Sequence, residues 1–390
     1  MALLGCLMSV SLVGGSAPPP LDTVRARLTA VIGESAPRTP FLLGEISGLA
    51  LDDSGRVYVA DFQDPRVVVF APDGRHLATI GRKGRGPGEF TAPTGPVIGP
   101  DHALYVRNME QILRFVRDPA TGLATQFDRG LSGPMMAPWR SKLPSIIDRA
   151  LRFYFPLEVG LPDGLTHYSY RRYTLEGRKL DSVAVPIYPT ARSSWAFYST
   201  GGGNGRMVAG LNVVPFHPLP VWTISPAGSL ISGPADKYEL LETDSAGRIV
   251  RTIARSVRPD AIPVAERADS LRALKRRVDS IPVPLSALKG ASDEVRSLRL
   301  PEVYPFYQSV TAVAETGEIW VRRWQRPSLR GMTLLDVFAP NGSYGRTVVL
   351  PMNCAPAPAL VIRGTTAACV QVDPESGAEA VVVARFDRSP

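Results

Sequence analysis

The sequence predicts an all-β protein, a six-bladed β-propeller in which four-stranded antiparallel sheets stand in a ring. Three observations lead to this prediction. Short strand-like segments alternate with turn residues along most of the 390 residues. A unit of four such strands recurs, and the last unit lacks a strand that the amino-terminal part of the chain can supply. The 35 glycines and 37 prolines agree with this density of turns.

The first unit is the clearest. Four apolar or alternating segments are separated by turn residues, as expected for short antiparallel strands. Asp53-Ser54-Gly55 and Pro72-Asp73-Gly74 supply two of the turns. The predicted strands of this blade are Ser47–Asp52, Val57–Asp61, Arg66–Phe70 and His76–Gly81.

Copies of this unit follow along the chain. Two copies repeat the second and third strands closely, and two are looser. The sequence therefore predicts five complete blades. The close copies are Leu104–Asn108 with Ile112–Phe115 and Ile319–Arg323 with Leu334–Gly342, and the looser ones span Leu143–Val185 and Val221–Ala254.

The sixth blade is divided between the two ends of the chain. Leu360–Ile362, Ala368–Val372 and Ala380–Phe386 supply three strands, and Leu28–Gly33 resembles the fourth strand of the first blade. A ring needs this closure because an open end would leave strand edges exposed. We therefore expect one propeller domain over residues 22–390.

Several segments carry a resemblance to a known repeat. Gly48–Asp61, Arg66–Phe70, Asp73-Gly74 and Gly84–Phe90 together resemble an NHL repeat. The chain is similar to bacterial exported six-bladed propellers of this group, including Val214–Pro218 before a blade. The resemblance implies the fold but no single activity, because the group includes ligand-binding modules, lyases and lactonases.

One segment is predicted to be helical. Apolar residues recur every three or four positions between Pro263 and Ser280. A second, weaker helix interrupted by Gly290 is predicted over Leu285–Leu298. Together they form a helical insertion at about residues 260–301, between blades four and five. It either packs on the ring for stability or covers a binding mouth.

Residues 1–17 are expected to be a signal peptide, because an apolar segment from Ala2 to Val13 is followed by small residues. The segment is too short to span a bilayer. Leu3–Cys6 alternatively resembles a lipobox, in which Cys6 would carry a lipid anchor. We therefore expect an exported protein, periplasmic or extracellular, with no transmembrane segment after signal removal.

Two cysteines remain once Cys6 leaves with the signal peptide. They are Cys354 and Cys369. Disulfides persist in oxidising compartments, and an even number of cysteines favours pairing. We expect a disulfide between them, with two unpaired buried thiols as the alternative.

The net charge of +8 favours an acidic partner in general. Only six of the 44 basic residues are lysine, and the basic residues are scattered along the chain. No nucleic-acid-binding motif accompanies them. We therefore expect no nucleic-acid partner.

Most catalytic patterns are missing from the sequence. The four histidines form no HxH or HExxH pattern, which argues against a histidine-built zinc site. No G-x-S-x-G motif supports a serine hydrolase. The glycine-rich segment Gly201–Gly205 lacks the lysine of a phosphate-binding loop and is expected to be a flexible connection. No catalytic residue is assigned.

A carboxylate and amide metal site, as in gluconolactonase-like propellers, requires side chains from several blades to converge on the central channel. Asp52, Asp53, Asp61 and Asp73 are better explained as turn and strand-end residues that accept backbone hydrogen bonds. We therefore expect no cofactor, with a channel metal ion such as calcium as the alternative.

A cationic rim is the predicted ligand site. The loops between second and third strands and the loops between blades emerge on one face when strands alternate in direction. Guanidinium groups favour carboxylates or phosphates, and tryptophan offers a flat face to a sugar or a cation. The alternative is a solvated arginine-rich rim. The candidate residues are Arg82, Lys83, Arg85, Arg107, Asn108, Arg322, Arg323, Trp324 and Arg326.

These observations favour a non-catalytic, exported propeller that binds an envelope or extracellular protein, peptide or glycan through its loop-rich face. The alternative is a metal-dependent hydrolase or lyase, similar to gluconolactonase, with its site at the channel mouth. A structural or adaptor role in an envelope complex is a third hypothesis. We expect a monomer.

Overall fold

The described chain forms six antiparallel sheets around one axis, and the predicted six-bladed propeller is confirmed. Each sheet contributes four strands to the ring. The computed structural model describes residues 23–33, 41–109, 111–132, 145–160, 166–186, 188, 194–200, 207–279 and 297–387.

The chain begins with two short strands that join later blades and then forms the first three blades in order. The amino-terminal strands are β1 (Thr23–Arg25) and β2 (Arg27–Ile32). Blade one contains β3 (Ile46–Leu51), β4 (Val57–Asp61), β5 (Arg66–Phe70) and β6 (His76–Ile80). Blade two contains β7 (Pro93–Ile98), β8 (Leu104–Asn108), β9 (Gln111–Arg117) and β10 (Ala124–Ser132). Blade three contains β11 (Ile146–Ile147), β12 (Phe153–Gly160), β13 (Thr166–Tyr173) and β14 (Lys179–Ala184).

A hairpin precedes the last three blades. It consists of β15 (Ser194–Thr200) and β16 (Met207–Val213). Blade four contains β17 (Val221–Ile224), β18 (Leu230–Gly233), β19 (Glu239–Thr243) and β20 (Ile249–Ala254), and α1 (Val264–Asp279) follows it. Blade five contains β21 (Tyr307–Ala312), β22 (Ile319–Arg323), a 3-10 turn (Pro327–Leu329), β23 (Thr333–Phe338) and β24 (Tyr344–Leu350). Blade six contains β25 (Val361–Arg363), β26 (Thr366–Val372), β27 (Glu379–Arg385) and β2.

The ring closes as predicted, by pairing the two ends of the chain. Strand β2 runs antiparallel to β27, with Arg27 opposite Arg385 and Ile32 opposite Val381. A second contact was not predicted: β1 pairs in parallel with β24, which gives blade five a fifth strand. The amino-terminal segment therefore connects the outer edge of blade five to blade six.

Apolar clusters fill all six spaces between neighbouring blades. Strand side chains alternate between the two faces of each sheet, so every blade contributes to the cluster before it and the cluster after it. In β8, for example, Val106 packs toward blade one and Tyr105 toward blade three. The core is therefore a ring of interfaces, and each blade depends on two neighbours.

The two faces of the ring carry different connections. The face where the inner strands begin receives the connections between blades, and we call it the loop face. The opposite face carries the short turns after the inner strands, and we call it the turn face. The hairpin of β15 and β16, which the sequence did not predict, belongs to the connection between blades three and four, at residues 185–220. Helix α1 belongs to the connection between blades four and five, at residues 255–306.

The helix α1 confirms the helix predicted over Pro263–Ser280. Its Leu274 is buried, and the Tyr304 hydroxyl donates a hydrogen bond to Glu266 at 2.6 Å. These contacts hold the helix to the segment that enters blade five. The second predicted helix, up to residue 296, lies outside the described residues, as do Cys6, the expected signal peptide and Gly201–Gly205.

Cys354 and Cys369 form the predicted disulfide, with a Cα–Cα distance of 5.5 Å. Both residues are buried in the cluster between blades five and six. The bond ties the connection after β24 to β26, so it fixes the loop-face connection that leads into the last blade.

The closing strand offers a direct test of its contribution to stability. Ile32→Ala removes a fully buried side chain of β2, and we expect the free energy of unfolding to fall by about 2–5 kcal/mol. Chemical denaturation measures this change. Leu28→Ala on the same strand is the control, because Leu28 is 49% exposed and should cost little. Equal losses in the two variants would contradict the role of β2.

The disulfide closes a loop with a sequence separation of 15. We expect Cys354→Ala/Cys369→Ala to lower the free energy of unfolding by about 3 kcal/mol, because the unfolded chain gains conformational entropy. Reduction of the wild-type protein should give a similar loss in denaturant titrations, whereas the reductant should leave the double variant unchanged.

Candidate ligand-binding site

A cavity of about 680 Å³ lies along the axis of the ring. All six blades contribute to its wall through their inner strands, which explains why the cavity follows the axis. Most of the wall is aliphatic. One such residue from each blade in order is Leu49, Val97, Ile146, Val221, Val310 and Leu360.

Charged side chains bridge the cavity at the turn face. The Arg363 guanidinium donates to Asp53 Oδ1, with Nη2 at 2.7 Å and Nε at 2.8 Å. Its Nε also lies 3.0 Å from Glu315 Oε1. A single side chain of blade six thus connects the first turn of blade one with that of blade five.

A second arginine reaches across the same end. Arg149, in the first turn of blade three, donates from Nη2 to the carbonyl oxygens of Ala314 at 2.9 Å and Glu315 at 3.2 Å. Because Arg149 and Arg363 both engage the first turn of blade five, the turn-face end of the cavity is crossed from two sides.

Asp53 is the hub of this group, which we call the turn-face cluster: Asp53, His102, Arg117, Glu315 and Arg363. Arg117 Nη2 lies 2.9 Å from Asp53 Oδ2. His102 Nδ1 lies 2.7 Å from the same oxygen. Burial raises the pKa of Asp53, but Arg363, His102 and Arg117 outweigh it, so the pKa is lowered. The carboxylate is therefore stabilised in its ionised form.

Two arginines lie buried at the loop-face end, on opposite blades of the ring. Arg107 and Arg322 are each 4% exposed. Burial lowers the pKa of both to about 10, although each remains protonated at neutral pH. Charge is thus present behind the aliphatic wall at this end of the cavity.

Arg322 is held by neutral acceptors. Its Nη1 donates to the Ala355 carbonyl at 2.9 Å and its Nη2 donates to the Cys354 carbonyl. With the Gln308 amide oriented to accept, Nε donates to Oε1 at 2.6 Å. Since Gln308 and Pro356 line the cavity, the guanidinium stands directly behind its wall.

Arg107 lies beside Ser145, a residue that lines the cavity. A β carbon on Gly95 would stand 2.7 Å from Ser145 Oγ and 3.1 Å from Arg107 Nε and Nη2. Gly95 also has a positive φ of 50°, which disfavours other residues. Glycine therefore leaves room for the hydroxyl and the guanidinium to approach each other.

An aromatic pair completes the wall near Ser145. Tyr170 and Trp222 both line the cavity, and Trp222 forms a side-chain hydrogen bond to Tyr170. Burial raises the pKa of the Tyr170 hydroxyl, so the phenol is neutral. The pair supplies a rigid, uncharged surface between blades three and four.

The structure divides the predicted cationic rim into exposed and buried residues. Arg82, Lys83 and Arg85 are exposed in the connection between blades one and two. Arg107, Asn108 and Arg322 are buried, which corrects their expected place on an accessible rim. The physical reason is strand alternation: Arg107 and Arg322 share the strand face of Tyr105 and Trp320, which pack between blades.

Asn108 and the arginines that follow it on the predicted rim have protein partners, and Arg323, Trp324 and Arg326 are partly buried. Asn108 Oδ1 accepts from the backbone N–H groups of Thr91 at 2.8 Å and Ala92 at 2.9 Å. Arg323 forms two hydrogen bonds to Asp336, at 2.8 and 2.9 Å. Arg326 pairs with Asp260, and Trp324 is half-buried. The ligand-binding role of this set stays a prediction.

The turn interpretation of the aspartates is confirmed for three of four. Asp52 Oδ1 accepts from the backbone N–H groups of Ser54 and Arg56, Asp61 from those of Gly44 and Asp64, and Asp73 from that of Arg75. Asp53 instead belongs to the turn-face cluster. The sequence carried no signal for this role, because the partners of Asp53 come from blades two and six.

The described residues contain no group of three or more His, Cys, Asp or Glu side chains placed to hold a metal ion. Within the same ranges, no helix has the length and apolar character that a bilayer crossing requires.

Comparison with known families supports the fold. Residues 38–118 match the DUF5128 family, which is described as a 6-bladed beta-propeller. No curated protein matches the chain in sequence. The resemblance to NHL repeats stays a prediction.

Solved structures with similar folds are distant. A DUF4221 member from Bacteroides vulgatus shares 9% identity, with 94% of this chain and 99% of that chain covered and a TM-score of 0.46. A gluconolactonase from Xanthomonas campestris shares 12% identity, with coverages of 88% and 87% and a TM-score of 0.41. A virginiamycin B lyase from Staphylococcus aureus shares 11% identity, with 87% of this chain and 94% of that chain covered and a TM-score of 0.35. Similarities at this level carry no information about activity.

Asp53 makes stability depend on pH in a defined direction. Its lowered pKa means that its stabilising contribution is complete above the ordinary aspartate pKa of 3.8 and is lost as the pH falls through the lowered value. We therefore expect Asp53→Asn to reduce the melting temperature at neutral pH and to match wild type in strong acid. Thermal melts across this range measure the difference, and a constant difference would contradict the assignment. Asp73→Asn, an exposed turn residue, is the control.

Proposed function

We propose that the protein is a non-catalytic binding propeller whose axial cavity receives the apolar part of a ligand from the loop face. The carrying observation is the aliphatic cavity of about 680 Å³, whose size and lining resemble those of ligand pockets in general. The turn-face cluster crosses its other end. Entry from the loop face follows from this asymmetry.

A protein or peptide ligand fits this cavity better than a glycan. The wall presents mainly aliphatic side chains with a few hydroxyl, amide and aromatic groups. An aliphatic side chain loses its hydration at little cost, whereas sugar hydroxyls would lose hydrogen bonds to water. Of the ligand classes expected from the sequence, a polypeptide segment with an apolar side chain is therefore the one we propose.

The alternative of a metal-dependent hydrolase or lyase has less support. Such a site requires several carboxylate or amide ligands that converge on the channel. Glu315 is the acidic residue among the described lining residues, and its carboxylate pairs with Arg363. A binding role requires no such set of ligands.

We also propose that the protein is exported and acts as a monomer in the periplasm or outside the cell. The disulfide supports this location, because such bonds persist in oxidising compartments. Its partner is then an envelope or extracellular polypeptide.

A filled cavity should abolish binding. Ala312 lines the wall, and we expect Ala312→Phe to occupy the space that a ligand side chain would use. The probe is a pool of random-sequence octapeptides with unblocked ends. Affinity selection with mass spectrometry should recover apolar-rich peptides on the wild type and not on this variant.

The matched control is Ala246→Phe, an exposed turn position of blade four, which should retain the same peptides as the wild type. Circular dichroism and thermal melting verify that both variants are folded. If all three proteins retain the same peptides, or none, the axial cavity is not the binding site.

A further inference from the structure

We propose that the axial cavity recognises the carboxyl-terminal end of a polypeptide whose last residue is aliphatic. This inference rests on the proposed function and adds which end of the ligand is read. The groups that carry it are Arg107, Ser145, Gln308 and Arg322, which we call the collar because they lie at the loop-face end of the cavity.

The Ser145 hydroxyl is the most informative group of the collar. Ser145 lines the cavity and is only 5% exposed, and its buried Oγ has no hydrogen-bond partner among the described residues. A buried hydroxyl without a partner is costly. A ligand oxygen that accepts its hydrogen bond would remove this cost.

The Arg107 guanidinium determines what kind of oxygen Ser145 favours. Both side chains approach Gly95. A β carbon placed on Gly95 would lie 3.1 Å from Arg107 Nε and Nη2 and 2.7 Å from Ser145 Oγ. A positive charge beside a hydroxyl donor favours an anionic acceptor over a neutral one. The pair therefore suits a carboxylate oxygen.

Arg322 adds a second positive charge from the opposite side of the ring. Its hydrogen-bond partners are the carbonyls of Cys354 and Ala355 and the Gln308 amide, all of them neutral. Blades two and five face each other across the axis in a ring of six. Because both guanidinium groups are buried, water screens their charges less than it screens exposed charges.

The aliphatic wall below the collar specifies what the carboxylate is attached to. At the carboxyl end of a polypeptide, the last side chain and the terminal carboxylate share one carbon atom. The side chain can then enter the aliphatic part of the cavity while the carboxylate stays at the collar. The preceding residues extend toward the loop face. Capture of a terminal carboxylate is a known mode of peptide recognition. An internal segment would supply the side chain but no anion.

The test compares two peptides that differ only at the end. The probes are acetyl-Gly-Gly-Ala-Leu-Leu as the free acid and as the carboxyl-terminal amide. Binding is measured by calorimetry and by the fluorescence of Trp222, which lines the cavity; Trp222→Phe identifies its signal. We expect the acid to bind roughly tenfold more tightly than the amide, or more, as hydrogen bonds to charged groups imply.

Ser145→Ala should weaken binding of the acid by about the same factor and leave the amide unchanged. Ser309→Ala is the matched control, since Ser309 is a serine of the same wall in blade five and should affect neither peptide. Equal affinities of acid and amide would overturn carboxylate recognition and leave peptide binding intact. Equal weakening of both peptides by Ser145→Ala would also overturn it. If neither peptide binds while the octapeptide pool does, the inference fails and the proposed function stands.

Discussion

The antiparallel pairing of β2 with β27 is the contact on which the rest of the molecule depends. Each blade is a thin sheet that buries both faces against neighbours, and the six apolar clusters form one continuous ring. Without the closing strand, the interfaces on both sides of blade six would lose part of their packing. The axial cavity also exists only because the closed ring holds six inner strands around a common centre.

The cavity differs along its length, and the proposed function follows from this difference. At the turn face, positive and negative side chains neutralise one another in the turn-face cluster. At the loop face, the two buried arginines lie behind the wall, and Arg322 has neutral acceptors. Ion pairs thus bridge one end, whereas two buried arginines stand behind the aliphatic wall at the other.

The propeller could be predicted because the residues that define each blade lie close together in the sequence. Turn residues such as Asp53-Ser54-Gly55 and the period of two in the strands repeat along the chain, and they define blades one, two and five clearly. The contact between β1 and β24 was not predictable, because three residues carry no periodic pattern. The hairpin of β15 and β16 was not predicted either.

The candidate site was less predictable, because it depends on contacts between blades. The sequence places Arg107 and Arg322 among the residues of an accessible rim, whereas the alternation of side chains along β8 and β22 buries both between blades. Asp52 and Asp53 are neighbours of the same type, but one caps its own turn and the other meets arginines from blades two and six. Ser145 carries no motif, and only its position at the start of the inner strand of blade three gives it a role.

Closure by residues 27–32 has a consequence for the order of folding. Strand β2 pairs with a strand that is about 350 positions away, and the Thr29 hydroxyl donates a hydrogen bond to the Val383 carbonyl across a separation of 354. Strand β2 precedes every other blade strand in the chain and must therefore wait for β27, with its edge available to other strands in the interval. Contacts of such high sequence separation form slowly. Assembly is thus most vulnerable to aggregation just before β27 arrives.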